Sequence, residues 1–185
     1  MSAITQLKDI VENEAEARAT GAEHSTGAEQ STSAEQRPAT RRTAMEVLPK
    51  KPSTKGTAEL FTGDVWFDVV AAGEEPSRIR VNVVRFAPCA RTAWHCHAAG
   101  QTLHVTEGVG LVQSKGGEVI VMRPGDTVHT PPGEWHWHGA APDHFMTHLA
   151  LWEGPGPDGG PESQWGEHVT DEEYNARQRH RRAGQ

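Results

Sequence analysis

The chain has 185 residues, 35% of them hydrophobic, and a formal charge of -7. That length suits one domain with chain left over. The acidic balance argues against nucleic-acid binding, which needs a basic face to displace counterions. No apolar run reaches the roughly 18 residues of a membrane span, and the first thirty residues lack the basic start and apolar centre of a signal peptide. Two cysteines, Cys89 and Cys96, are too few for a disulfide scaffold. A reduced, cytoplasmic setting is therefore expected, with no bond between them.

Residues 1–19 read as a short helix, with Ile4, Leu7 and Val11 on one face. A six-residue period follows, opening at Thr20, Thr26 and Thr32, and it offers no aromatic or β-branched aliphatic side chain to bury. It cannot offset its ordering entropy, so residues 1–56 are expected to form an extension of short helix plus disordered linker.

From Thr57 short apolar runs alternate with Gly, Pro and Asp. The runs are Val65–Val70, Arg78–Ala87, Thr102–Thr106, Leu111–Ser114, Val119–Met122, Thr127–Thr130 and Phe145–Trp152. Short strands with turn signals every 8–12 residues or so predict an all-β sandwich or barrel, here over residues 57–175. Gly116–Gly117 marks a hairpin, and Arg123–Pro124–Gly125–Asp126 a tight turn. Glu153–Pro161 reads as a loop. Thr170 before Asp171, Glu172 and Glu173 reads as the cap of a short helix, followed by a basic tail over residues 176–185.

Eight of the eleven histidines lie between His95 and His148. His95 and His97 flank one residue, a spacing that puts both rings on one face of a strand. Gln101 follows four residues after His97. Downstream, Pro131, Pro132 and Gly133 precede His136 and His138, a second same-face pair. Brought together inside a closed barrel, the two pairs would offer three or four neutral imidazoles to one point. That is a ligand set for Mn, Fe, Ni, Co or Zn.

At these residues the chain resembles the cupins, whose fold is a double-stranded β-helix or jelly-roll barrel. Their first motif runs Gly, five residues, His-x-His, three or four residues, Glu, six residues, Gly. His95, His97, Gln101 and Gly108 sit at its spacings, with Cys89 in place of the first glycine and Gln101 in place of the glutamate. Their second motif is matched by Gly125, Pro131, Gly133 and His136, with Ala140 in place of its final asparagine. The strings at 91–95, 100–103, 123–126, 136–140 and 146–150 are similar to small bacterial cupins that include manganese-dependent hydroxynitrile lyases. Relatives called carboxymuconolactone-decarboxylase-associated cupins share much of this text. The resemblance implies metal ligands at His95, His97, Gln101 and His136 and a further pocket histidine at His148. It also implies Mn2+, with Fe2+, Ni2+ or Zn2+ as alternatives, a small-molecule substrate and a homo-oligomer, dimer or tetramer.

A neutral glutamine in place of glutamate leaves a divalent metal at its full charge. At a few ångströms and an effective dielectric near 20, that unit of charge is worth on the order of 4 kcal/mol for a developing anion. Lewis-acid chemistry gains over oxidation. The leading expectation is thus a metal-dependent lyase acting on a hydroxynitrile-like substrate, with His148 or His138 as base. An Fe- or Ni-dependent dioxygenase and a non-catalytic binding cupin are the alternatives. His104 has the wrong parity to face inward, and His129 and His144 are expected to be structural or exposed. Trp94, Trp135 and Trp137 read as packing, and Cys96, between two candidate ligands, should face away from the metal.

Overall fold

Two antiparallel sheets face each other and enclose most of the buried apolar side chains. The computed structural model describes residues 45–156 and 160–176. In chain order the strands are β1 (Thr54–Lys55), β2 (Phe61–Thr62), β3 (Val65–Ala72), β4 (Ile79–Phe86), β5 (Arg91–His97) and β6 (Gln101–Gly108). They continue with β7 (Gly110–Ser114), β8 (Ile120–Met122), β9 (Thr127–Thr130), β10 (His136–Ala140), β11 (Met146–Glu153) and β12 (Ser163–His168). A single turn of helix, α1 (Asp171–Tyr174), closes the described chain. One sheet runs β1-β3-β4-β11-β6-β9; the other runs β12-β5-β10-β7-β8, with β2 also pairing β5. This is the expected all-β jelly-roll barrel.

The chain divides into two units, Met1–Lys50 and Lys51–Gln185. Of the first, residues 45–50 are described, and they are exposed without regular structure. The expected N-terminal helix and repeat, and most of the basic tail, lie outside the described residues.

Alternation decides which side chains face the barrel interior. In β6, Gln101, Leu103 and Val105 are buried, whereas Thr102, His104 and Thr106 are not. The main core joins Val65, Val84, Phe86, Leu103, Val105, Met122 and Met146 between the sheets. Each such large side chain contributes about 1.5–3 kcal/mol by leaving water. β5 and β10 are buried along their whole length. Their outer faces are covered as well: Trp94 and Trp137 pack with Leu111, Ala141, Val169 and Tyr174.

α1 seals that outer layer. Thr170 and Glu173 form a reciprocal capping box at its start. The buried Arg91 guanidinium donates to the carbonyl of Val169 at 2.9 and 3.1 Å and to Asp171 at 2.7 Å. Tyr174 donates its hydroxyl to the carbonyl of Ala140 at 2.6 Å. The helix cap read from Thr170 is therefore present, and its function is to cover β5 and β10.

The turns behave as their sequences require. Gly117 donates to the Ser114 carbonyl at 2.9 Å in the β7–β8 hairpin, and Asp126 to that of Arg123 at 2.9 Å before β9. Gly108 has φ +76, and a Cβ there would sit 1.9 Å from the Phe145 carbonyl oxygen, so no other residue fits. Both cysteine thiols are free. Cys89 has φ 67, the left-handed region in which a side chain clashes with its own carbonyl. This is the position the resembled motif reserves for glycine, so the departure carries a local backbone cost.

Replacing Cys89 by glycine should therefore stabilise the protein. The relief of about 1–2 kcal/mol, less the unfolded-state entropy of glycine, leaves a gain of about 0.5–1 kcal/mol. A urea midpoint that rises with unchanged slope is the expected result; no rise would show that the conformation is unstrained.

Candidate metal centre

The site is assembled by strand register. His136 on β10 lies directly opposite His95 on β5, so same-face histidines of the two pairs meet in the barrel interior. The Pro131–Gly133 turn sets this register. Gly133 takes φ 74 and donates to the His97 carbonyl at 2.9 Å, pinning the start of β10 to the end of β5. Gly100 donates to the same carbonyl at 3.2 Å and turns the chain into β6, which carries Gln101.

Ring centroids of His95 lie 4.3 Å from His136, 5.2 Å from His138 and 5.3 Å from His97. All four rings are buried, with exposures of 5% or less. Ring nitrogens of His95, His136 and His138 fall within 4.8 Å of one another, a group able to hold a metal ion. The sequence reading placed His97 and Gln101 in the ligand set and His138 beside it. The structure brings all five residues into one cluster, with His138 inside the closest trio.

The tautomers are set by backbone. His95 donates its Nδ1–H to the carbonyl of Ala93 at 3.1 Å, and His136 donates its own to the carbonyl of Glu134 at 2.9 Å. Both therefore present an Nε2 lone pair to the interior, the usual arrangement of a metal-binding imidazole. The Nε2 of His136 faces the Oε1 of Gln101 at 2.9 Å. With the amide oxygen turned to the ring two acceptors meet, a contact that a cation between them relieves and that the amide N–H2 would otherwise fill. Both ring nitrogens of His97 and of His148, and the Nδ1 of His138, are buried without a partner. Leaving such groups unpaired costs about 1–3 kcal/mol each. A divalent metal would take one free lone pair from each ring that faces it, so the donor set of His95, His97, Gln101 and His136 fits such an ion.

Burial keeps the rings neutral, the form that ligates. It lowers His97 to about 3, with the neighbouring His136 adding to the effect. It lowers His148 to about 4. Burial pushes His95 and His138 well below their ordinary value, helped by like charge on His136 and His97 for His95 and on His148 first for His138. His136 is lowered by burial too, against the pull of its bond to Glu134.

His148, on β11, closes the far wall. Its ring lies 4.9 Å from that of His138, and Phe86 stacks on it at 5.6 Å. The hydroxyl of Thr92 accepts the backbone N–H of His138 at 3.1 Å. The other described histidines lie elsewhere: the Nδ1 of His104 pairs with Thr127, that of His129 with Thr102, that of His144 with Asp143 and that of His168 with Thr62, all in exposed bonds. Cys96 is buried on the opposite face of β5 from the two candidate ligands beside it, and Trp137 gives its N–H to Gln113.

Three site neighbours were not singled out from sequence as pocket residues. Phe86 lies in a run, Arg78–Ala87, that read only as strand. Trp152 has the parity of His148, and that signal was available. Trp165 stacks on His95 at 4.6 Å from β12, a strand whose Gly and Glu content gave no apolar pattern.

Residues 82–150 match the family model described as the cupin domain. The chain is 50% identical over 122 residues to the (R)-mandelonitrile lyase of Granulicella tundricola, a match over 66% of this chain and 91% of that protein. The crystal structure of a cupin-like protein from Thermotoga maritima superposes with TM-score 0.62 at 36% identity, over 71% of this chain and 96% of that one. The polyketide cyclase RemF of Streptomyces resistomycificus shares the fold, with TM-score 0.53 at 15% identity over 73% and 94% of the two chains.

Neutral burial has a pH signature in the metal-stripped protein. The pKa of His148 is about 4 folded against 6.5 unfolded, so the unfolded chain takes up its proton first as pH falls. Stability is complete above pH 6.5 and is lost between there and about pH 4, by roughly 3 kcal/mol for this residue alone. Urea unfolding across that range should show the decline, and a flat profile would mean that the ring is solvated.

Proposed function

The chain belongs to the cupin family, and on that premise we propose that it is a metal-dependent lyase cleaving a small α-hydroxynitrile. The ligands in this reading are His95, His97, Gln101 and His136, the metal is Mn2+, and His148 is the base with His138 beside it. The name of the Granulicella relative supports the reaction class. The observation that carries the metal ligation is the contact of two acceptors, His136 Nε2 and Gln101 Oε1, at 2.9 Å beside the unpartnered nitrogens of His97.

When bound, a divalent ion supplies Lewis-acid polarisation of a hydroxyl oxygen. The protein's part is the rest. Gln101 contributes an oxygen without a negative charge, leaving the pocket positive toward an anion. His148 is buried and unprotonated at neutral pH, so its proton-accepting form is the resting one. Its low basicity requires a hydroxyl already acidified by the site. His148 takes the hydroxyl proton, the bond to the nitrile carbon breaks with its electron pair leaving on cyanide, and the carbonyl forms. The imidazolium then returns the proton, releasing hydrogen cyanide and an aldehyde. Phe86 against His148, and the apolar core beneath, keep water from competing for that proton.

Alanine at His95, His97 or His136 should lower metal content severely in folded protein, read by elemental analysis beside circular dichroism. His138→Ala should retain the metal. Loss at His138 with retention at His97 would move the site onto the closest trio.

Gln101→Glu tests the charge. The side chains are nearly isosteric, so metal should stay bound while the pocket loses one positive charge. Half of the estimated 4 kcal/mol is already more than tenfold in rate. Mandelonitrile cleavage, measured at equal metal occupancy and unchanged by removing oxygen, should fall at least tenfold. An unchanged rate would reduce Gln101 to a ligand alone, and no cleavage by the parent protein would remove the lyase reading.

A further inference from the structure

Two further buried polar groups in the barrel lack partners, and both are donors. The indole Nε1 atoms of Trp152 and Trp165 are buried with no hydrogen-bond acceptor. Register places both rings on the inner surface with the histidines. Trp165 lies opposite His95 in the β12–β5 pair, and Trp152 lies opposite Gln101 in the β11–β6 pair. Partners directly across an antiparallel pair share a face. Trp165 stacks on His95 with centroids 4.6 Å apart, and Trp152 leans on His97 at 5.5 Å. One indole thus comes from each sheet, and each presses on a candidate ligand.

An indole N–H can only donate, and a buried tryptophan normally finds an acceptor for it. Elsewhere in this barrel that rule holds, since Trp137 donates to Gln113 at 2.8 Å. The two exceptions flank the histidine cluster, where nothing among the described residues accepts from them. The other unpartnered side-chain groups of this kind are imidazole nitrogens of His97, His138 and His148. A ligand that satisfies the indoles must bring lone pairs of its own.

We infer that Trp152 and Trp165 are a donor pair that binds the acceptor end of a small anion beside the metal site. Cyanide and small carboxylates share this chemistry, being compact and rich in acceptors. Identifying the anion as cyanide, the leaving group, rests on the lyase reading above; the donor pair itself does not. In that reaction the pair would hold the departing anion while His148 holds the proton, which makes both tryptophans determinants of leaving-group specificity.

The test uses the full-length, metal-loaded protein and two probes, sodium formate and sodium cyanide. Each anion should raise the melting temperature of the parent by mass action and bind measurably by calorimetry. Trp152→Phe and Trp165→Phe should keep their metal and bind both anions about tenfold more weakly or worse, the size of one hydrogen bond to a charged acceptor. Trp66→Phe, on the exposed face of β3, should bind them as the parent does. Site-specific replacement of either tryptophan by 3-benzothienylalanine, which keeps the ring but lacks the N–H, should reproduce the loss if the Phe variants fold poorly. Unchanged affinity in the benzothienyl variants would overturn the inference, as would an equal loss in Trp66→Phe. If the variants lose formate but the parent cleaves no mandelonitrile, the donor pair stands and the lyase reading falls. If the parent cleaves mandelonitrile and the variants bind anions normally, the donor pair falls alone.

Discussion

The antiparallel pairing that sets His136 opposite His95 is the constraint on which the site depends. A slip of one residue would turn His136 and His138 to the outer layer and bring Trp137 into the barrel. Two devices oppose that slip. The Pro131–Gly133 turn ties the start of β10 to the His97 carbonyl, and the outer-face cluster of Trp94, Trp137 and Tyr174 fills the other side of both strands. Because β5 and β10 are packed on both faces, a displacement would disturb two cores at once. The outer tryptophans therefore hold the inner histidines in place without touching them.

The second constraint is charge. Four imidazoles gathered within a few ångströms can be tolerated only if they stay neutral, and burial lowers each of them. Two of the neutral rings, His95 and His136, hold their Nδ1–H on backbone carbonyls and so turn Nε2 lone pairs toward the interior. A neutral amide, Gln101, joins them in place of a carboxylate. The cluster thus contributes donor atoms without negative charge, and an ion held there keeps its full positive charge for whatever anion approaches.

The division of labour between the sheets follows from topology. The sheet built around β5 and β10 carries His95, His97, His136, His138 and Trp165, the dense part of the cluster. The opposite sheet supplies Gln101, His148, Trp152 and Phe86 from β6, β11 and β4. The site is the seam between two sheets. Its second wall supplies Gln101 to the ligand set, His148 to proton transfer and Trp152, with Trp165 from the first wall, to anion binding.

Local patterns along the chain were enough to read the fold class, the turn positions and the identity of the histidine pairs. These are local properties: period-two burial, a glycine or proline at a fixed offset, and His-x-His on one face of a strand. Parity alone removed His104 from the site, and the cap at Thr170 was legible from the four residues that form it. Tertiary structure decided what depends on which strands become neighbours. It put His138 in the closest trio with His95 and His136, aimed the His136 lone pair at Gln101, and stacked Trp165 on His95. It also showed why α1 exists, since its Tyr174 reaches the Ala140 carbonyl across 34 residues of chain. Pairing between distant strands is a contest among all possible registers, settled by packing on both faces, and a linear pattern does not carry that information.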